Sequence, residues 1–158
     1  MSRTVQAWRL VKKERAHTAF DGEGAFRFGG RWNHRGQRVV YASSTLALAL
    51  LEILVHIDPT GHVPELVAIT IEIPVNQIET GPRSSAKSLS EGLPWPLSKT
   101  RQTGDAWMRT AKKPVLQVPS AIVQVEQNYL INPEHRDFDK IEIGPAEVFT
   151  FDPRLIAL

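Results

Sequence analysis

Between Val63 and Pro74 the chain alternates: Val67, Ile69, Ile71 and Ile73 fall at every second position, with Ala68, Thr70 and Glu72 between them. A strand points successive side chains to opposite faces, so this pattern predicts a strand with one better-buried face. Val5–Leu10, Arg38–Ala42, Val115–Val125, Asn128–Asn132, Lys140–Ile143 and Glu147–Phe151 also read as short strands. Within Val115–Val125 the Pro119–Ser120 pair predicts a bulge or an edge, because proline offers no N–H to a ladder. Most neighbouring strands have no helical crossover between them, and parallel pairing requires one. The expectation is an α+β domain with a largely antiparallel sheet and few helices. A chain of 158 residues, 42% apolar and 23% charged, supports one such core over residues 1–158 and is too short for two ordinary ones.

Thr45–Ile57 is the clearest helix, with Ser43 and Ser44 as N-cap candidates and Pro59 and Gly61 to stop it. Leu46, Leu48, Leu50, Leu51, Ile53, Leu54, Val55 and Ile57 surround nearly its whole circumference, which predicts a buried helix. Phe20–Gly36 carries glycine at 22, 24, 29, 30 and 36, a spacing that predicts turns and close backbone approach instead of regular structure. Asn76–Thr103 reads as an extended connection with room for one short helix, followed by a helix over Gly104–Lys113 carrying Trp107 and Met108.

The formal charge is +2, which suits a local patch for an anionic small molecule and does not demand a polynucleotide. Cysteine is absent, so disulfides, thiolate catalysis and Cys-type zinc sites are excluded. The five histidines (His17, His34, His56, His62 and His135) show no paired ligand spacing, so no metal is expected. Met1–Arg15 contains five basic residues and no apolar segment of the secretory kind, and the longest apolar run, Leu46–Leu51, is far short of a span. The expected address is the cytoplasm, with no membrane partner.

Glu52 is the only carboxylate between Thr45 and Ile57. Burying such a group is costly unless it is paired or hydrogen-bonded. Glu52 and His56 lie four apart and share a helix face, so one reading is a structural Glu–His pair. The other places the carboxylate at a cleft, where it stabilises developing positive charge. Gly29–Gly30–Arg31–Trp32–Asn33 reads either as an ordinary turn or as a backbone that approaches a ligand while Arg31 grips phosphate oxygens. Neither a Walker-type loop nor a Gly-x-Gly-x-x-Gly turn after a strand accompanies it. Tyr41 reads as a core tyrosine with its hydroxyl at the rim, and Ser120 as a serine exposed by a bulge, without the Gly-x-Ser-x-Gly setting of a nucleophile.

Taken together, Phe20–Gly24, Gly29–Asn33, Val39–Tyr41, Leu50–Glu52 with His56, Val118–Ser120, Asn128–Pro133 with His135, and Phe151–Leu155 resemble the RES family of bacterial toxins. The likeness follows the family's order over nearly the whole chain, whereas Gly81–Trp107 contributes no motif. It implies a fold similar to the ADP-ribosyltransferase toxins, in which a split sheet clasps NAD⁺. Arg31, Tyr41 and Glu52 then resemble the Arg/His–Tyr–Glu triad, and Ser120 matches the family serine. Arg9, Gly30 and Asn33 would contact NAD⁺.

The residue types suit that chemistry. Nicotinamide leaves NAD⁺ as a neutral base, so the barrier lies in an oxocarbenium-like ribose, as in glycoside hydrolysis. The resemblance implies that Glu52 stabilises this cation, Arg31 orients the cofactor, Tyr41 packs on nicotinamide, and Ser120 holds the amide or a ribose hydroxyl. Water, inorganic phosphate or a protein side chain could accept the ADP-ribosyl group. Loss of free NAD⁺ is the first expectation, protein ADP-ribosylation the second, and a non-catalytic antitoxin-binding module the third. The family also implies a cognate Xre-like antitoxin over the active-site mouth, with DNA contacted only through that partner.

Overall fold

In a computed structural model, the structure describes residues 3–58, 62 and 64–156. Seven strands form one sheet: β1 (Thr4–Lys12), β2 (Val40–Ser43), β3 (Leu66–Pro74), β4 (Ile78–Thr80), β5 (Val115–Pro119), β6 (Gln127–Ile131) and β7 (Glu142–Phe149). Their spatial order is β4-β5-β6-β2-β1-β3-β7, and every neighbouring pair is antiparallel except β4–β5. The α+β reading and the largely antiparallel sheet hold.

The sheet is split at its centre. β1 pairs with β3 along its whole length, from Thr4↔Pro74 to Lys12↔Leu66, but meets β2 only at Trp8↔Ser43. The two halves therefore splay apart beyond that one bridge, leaving a cleft into which helices and loops can project. Four α-helices surround the described sheet: α1 (Glu23–Phe28), α2 (Leu46–Leu54), α3 (Ser88–Glu91) and α4 (Leu97–Thr110).

The alternation of β3 works as its periodicity requires. Ile71 and Ile73 enter a core with Ala7, Val40, Ala42, Val115, Tyr129, Ile131 and Ile141, while Val67 and Ile69 pack with Val11 and Ala19. The opposite face is buried too: Leu66 and Ala68 lie beneath Ala49 of α2. A third cluster, Trp32, Val39, Trp107, Leu116, Val118 and Leu130, fills the space under α4.

Several boundaries differ from the sequence expectation, each for a physical reason. Thr45, not Ser43 or Ser44, caps α2: its Oγ1 accepts the Leu48 N–H at 3.1 Å. Ser43 is already committed to β2, where its Oγ donates to Asn128 Oδ1. Only Leu48 and Ala49 of α2 are buried, whereas Leu51 and, just beyond the helix, Val55 are exposed. The helix covers the sheet with one side and turns the other outward, so its all-round apolarity does not reflect burial. The expected stops, Pro59 and Gly61, and residue Val63 of the expected strand lie outside the described residues.

The glycine-rich run does contain regular structure, namely the six residues of α1, whose flanking glycines, Gly22 and Gly29, have φ of 72° and 73°. The connection after β3 holds β4, α3 and the first turns of α4. β4 is too short for a periodic signal. Its parallel pairing with β5 is permitted by the long helical crossover through α4. The buried stripe of α4 is Thr100, Gly104 and Trp107, correctly spaced for one helix face but apolar at only one position. Finally, the two strands expected near the C-terminus are one strand, β7. Its register shifts between Ile69 and Ile71 of β3, where Gly144 and Pro145 form a bulge.

Candidate active site

The cleft at the split has two adjoining lobes, of about 290 Å³ and about 370 Å³. Both are lined by Gly29, Gly30, Arg31, Tyr41, Glu52, His56 and Asn128. The inner lobe adds Trp8, Arg9, Ser43 and Ile53; the outer adds Val55, Leu97, Arg101 and Ile122. Together they have the scale of a cofactor site.

Glu52, on the second turn of α2, is the only carboxylate among the described residues that line the two lobes. Its Oε1 accepts two hydrogen bonds, from Ser120 Oγ and from Asn128 Nδ2, both at 2.7 Å. Oε2 has no hydrogen-bond partner among the described residues. One oxygen is thus anchored by two side chains. No hydrogen bond or ion pair joins Glu52 to His56, so the structural-pair reading does not describe this carboxylate.

Ser120 stands behind Glu52, not in the cleft. It is fully buried, its Oγ accepts the N–H groups of Ile122 and Val123, and its one proton points to the carboxylate. The turn after β5 thus tucks the Ser120 side chain inward, against the carboxylate. Asn128, the first residue after the start of β6, completes the anchor, since Ser43 Oγ donates to its Oδ1 at 2.8 Å. Sequence reasoning did not single out this asparagine as a site residue, and the only signal was its place at the head of the Asn128–Pro133 stretch.

Arg31 is exposed at the mouth, and its guanidinium makes no hydrogen bond or ion pair with the described residues. Its loop is held from several sides. Tyr41 Oη accepts the Trp32 N–H at 3.1 Å and donates to Asn33 Oδ1 at 2.6 Å. Thr100 Oγ1 donates to Arg31 O at 2.6 Å, and Arg101 Nε to Gly30 O at 2.9 Å. Gly30 has no room for a side chain, because a Cβ there would sit 2.6 Å from Tyr41 Oη.

Asn33 is fully buried, and its Nδ2 donates to Ala25 O at 3.1 Å and His34 O at 2.9 Å. Its amide is thus engaged by Ala25 of α1, by His34 and by Tyr41 of β2. Burial pushes the Tyr41 hydroxyl well above the usual phenol range, so it works as a neutral donor. Tyr41→Phe orphans both Asn33 Oδ1 and the Trp32 N–H, and a loss of about 2 kcal/mol is expected in chemical denaturation. An unchanged midpoint would show that the hydroxyl does not hold the loop.

Arg9, on β1, reaches across the split. Its Nε donates to Ala19 O at 2.6 Å and its Nη1 to Tyr41 O at 2.8 Å. Burial lowers its pKa to about 10, partly opposed by Asp21, so it remains a cation at neutral pH on the floor of the inner lobe. The structure thus brings Arg9, Gly30, Arg31, Tyr41 and Glu52 to one cleft and sets Asn33 and Ser120 behind its walls. Among the described residues no group of three or more acidic or histidine side chains could hold a metal, and no helix is long and apolar enough to cross a membrane.

Comparison with known proteins matches the sequence of this chain to a family. "Toxin Res" of Photorhabdus laumondii is 34% identical over 150 residues, covering 94% of this chain and 96% of that protein. "Toxin Res" of Yersinia enterocolitica is 34% identical over 161 residues, covering 96% and 99%. The "Prs ADP-ribosylating toxin" of a Sphingobium species is 34% identical over 159 residues, covering 97% and 98%. The RES domain profile matches residues 6–152, from the third residue of β1 to just past β7, and so takes in every wall of the cleft; this chain belongs to the RES domain family.

Proposed function

We propose that this chain is the toxin of a toxin–antitoxin pair and that it cleaves the nicotinamide–ribose bond of NAD⁺, consuming the free cofactor. The carrying observation is Glu52: one oxygen is fixed by Ser120 and Asn128, and the other is unpartnered where the two lobes meet. In the reaction the C1′–N1 bond breaks with its electron pair moving to the pyridinium nitrogen, which leaves as neutral nicotinamide. Positive charge then develops on C1′ and the ring oxygen. A rigid carboxylate beside the ribose stabilises that charge without reorganising, and its free oxygen can accept a ribose hydroxyl. Arg31 supplies an exposed guanidinium for the diphosphate, and no metal is required for a leaving group that already departs neutral.

Water would complete hydrolysis by losing a proton, and inorganic phosphate would complete phosphorolysis as an anion. With Arg9, Arg31 and Arg101 against one carboxylate, the cleft lining is suited to an anionic acceptor. Transfer to a protein side chain is the second reading, favoured by the likeness to the Sphingobium ADP-ribosylating toxin. A partner of antitoxin type fits the exposed apolar Val55 and Leu97 that line the cleft. An Xre-like antitoxin would bring any DNA contact.

The test is the amount of NAD⁺ left after incubation with purified chain, with and without phosphate. Loss that quickens with phosphate supports phosphorolysis, and loss indifferent to it supports hydrolysis. Full retention of NAD⁺ in both, together with labelling of a cell extract by tagged NAD⁺, would replace this reading with protein modification.

A further inference from the structure

Gly81–Trp107 carries no family motif, yet α4 inserts Arg101 into the outer lobe. Arg101 Nε is tied to Gly30 O, which orients the guanidinium and leaves its two Nη groups without a hydrogen-bond partner among the described residues. A Cβ on Gly29 would lie 3.4 Å from Arg101 Nη2, so the fork stands directly beside the Gly29–Gly30 backbone. No carboxylate forms an ion pair with Arg101 or with Arg31 among the described residues. The same lobe offers Val55, Leu97 and Ile122 as apolar wall. Two unneutralised guanidiniums, one tied to the Gly30 carbonyl and one exposed and without a partner among the described residues, next to an apolar surface describe a site for a diphosphate that carries a flat aromatic group.

Resting on the NAD⁺ reading above, we infer that Arg101 is a substrate-binding residue that grips the diphosphate and selects a dinucleotide over a simple nicotinamide riboside. The scissile ribose lies at Glu52, where the lobes meet. The diphosphate lies between Arg31 and Arg101, and the adenosine end rests on Val55, Leu97 and Ile122. The exposed Arg31 supplies the second guanidinium to a ligand that Arg101 has placed.

The experiment compares the native chain, Arg101→Met and Arg101→Lys in cleavage of NAD⁺ and of nicotinamide riboside, which has the same scissile bond but no diphosphate. Binding of ADP-ribose by calorimetry is measured alongside. Loss of a bidentate charge-assisted contact predicts about 30-fold weaker ADP-ribose binding and an about 30-fold higher KM for NAD⁺ in Arg101→Met. The preference for NAD⁺ over the riboside falls by the same factor, and Arg101→Lys recovers part of it. Equal losses on both substrates would overturn the proposal, because they would mean that Arg101 only props the Gly30 carbonyl. Unchanged ADP-ribose binding would overturn it as well. A native chain that binds ADP-ribose through Arg101 but cleaves neither substrate would sink the NAD⁺-cleavage reading and leave this site standing.

Discussion

Glu52→Gln lowers NAD⁺ cleavage about a thousandfold and leaves the fold intact. The substitution is isosteric, and the retained amide oxygen can still accept from Ser120 Oγ and Asn128 Nδ2 as Oε1 does now. The new NH₂ group takes the place of the unpartnered oxygen. What disappears is the negative charge facing the ribose, and with it the attraction that lowers the oxocarbenium barrier. The melting temperature is expected to stay within about 2 °C, because no buried hydrogen bond is broken. Glu52→Ala is a poorer test, since it would strand the buried Ser120 proton and the Asn128 amide together. Cycling assays of residual NAD⁺ read the rate, and calorimetry reads the fold. Full cleavage by a folded Glu52→Gln chain would remove the carboxylate from the mechanism.

The second large effect is on stability. Alanine in place of glycine inside a helix ordinarily stabilises by about 0.5–1 kcal/mol. Gly104→Ala is expected to do the reverse, by about 3 kcal/mol, with a fall in Tm of roughly 10 °C. The added Cβ would fall 1.7 Å from Trp32 O and 2.8 Å from Trp32 C, both backbone atoms of the Arg31 loop. That loop cannot yield without disturbing Thr100 on Arg31 O and Tyr41 on the Trp32 N–H, so cleavage of NAD⁺ should fall together with the melting point. Gly24→Ala in α1 is the matched comparison: no neighbouring atom lies within 4 Å of its added Cβ, and it should stabilise by about 0.5 kcal/mol. Scanning calorimetry of the two variants decides the matter. Equal melting points would mean that α4 does not clamp the loop.

Much of this arrangement was legible along the chain. The period of two in Val67–Ile73 identified β3, the run beginning at Leu46 identified α2, and the scarcity of helical crossovers indicated a largely antiparallel sheet. Glu52 stood out because one carboxylate among leucines demands a reason. The family resemblance joined it to Arg31 and Tyr41, which line the same cleft. What stayed hidden had no local signal. β4 is three residues long, α4 hides its buried face behind a threonine and a glycine, and the flanks of α2 are as apolar as its core.

The sequence by itself determined where backbone periodicity changes and which residue types were available for chemistry, because both depend on neighbours a few positions apart. Only the tertiary structure decided what those residues do. Ser120 and Asn128 lie 68 and 76 positions from Glu52, and the serine reached it by turning inward behind the carboxylate. Thr100 and Arg101 reach the Arg31 loop from 69 and 71 positions away. Such contacts are set by sheet register and by how α4 crosses the Trp32 backbone. A hydrogen bond depends on a few tenths of an ångström, and no pattern along a chain specifies distances of that kind between its remote parts.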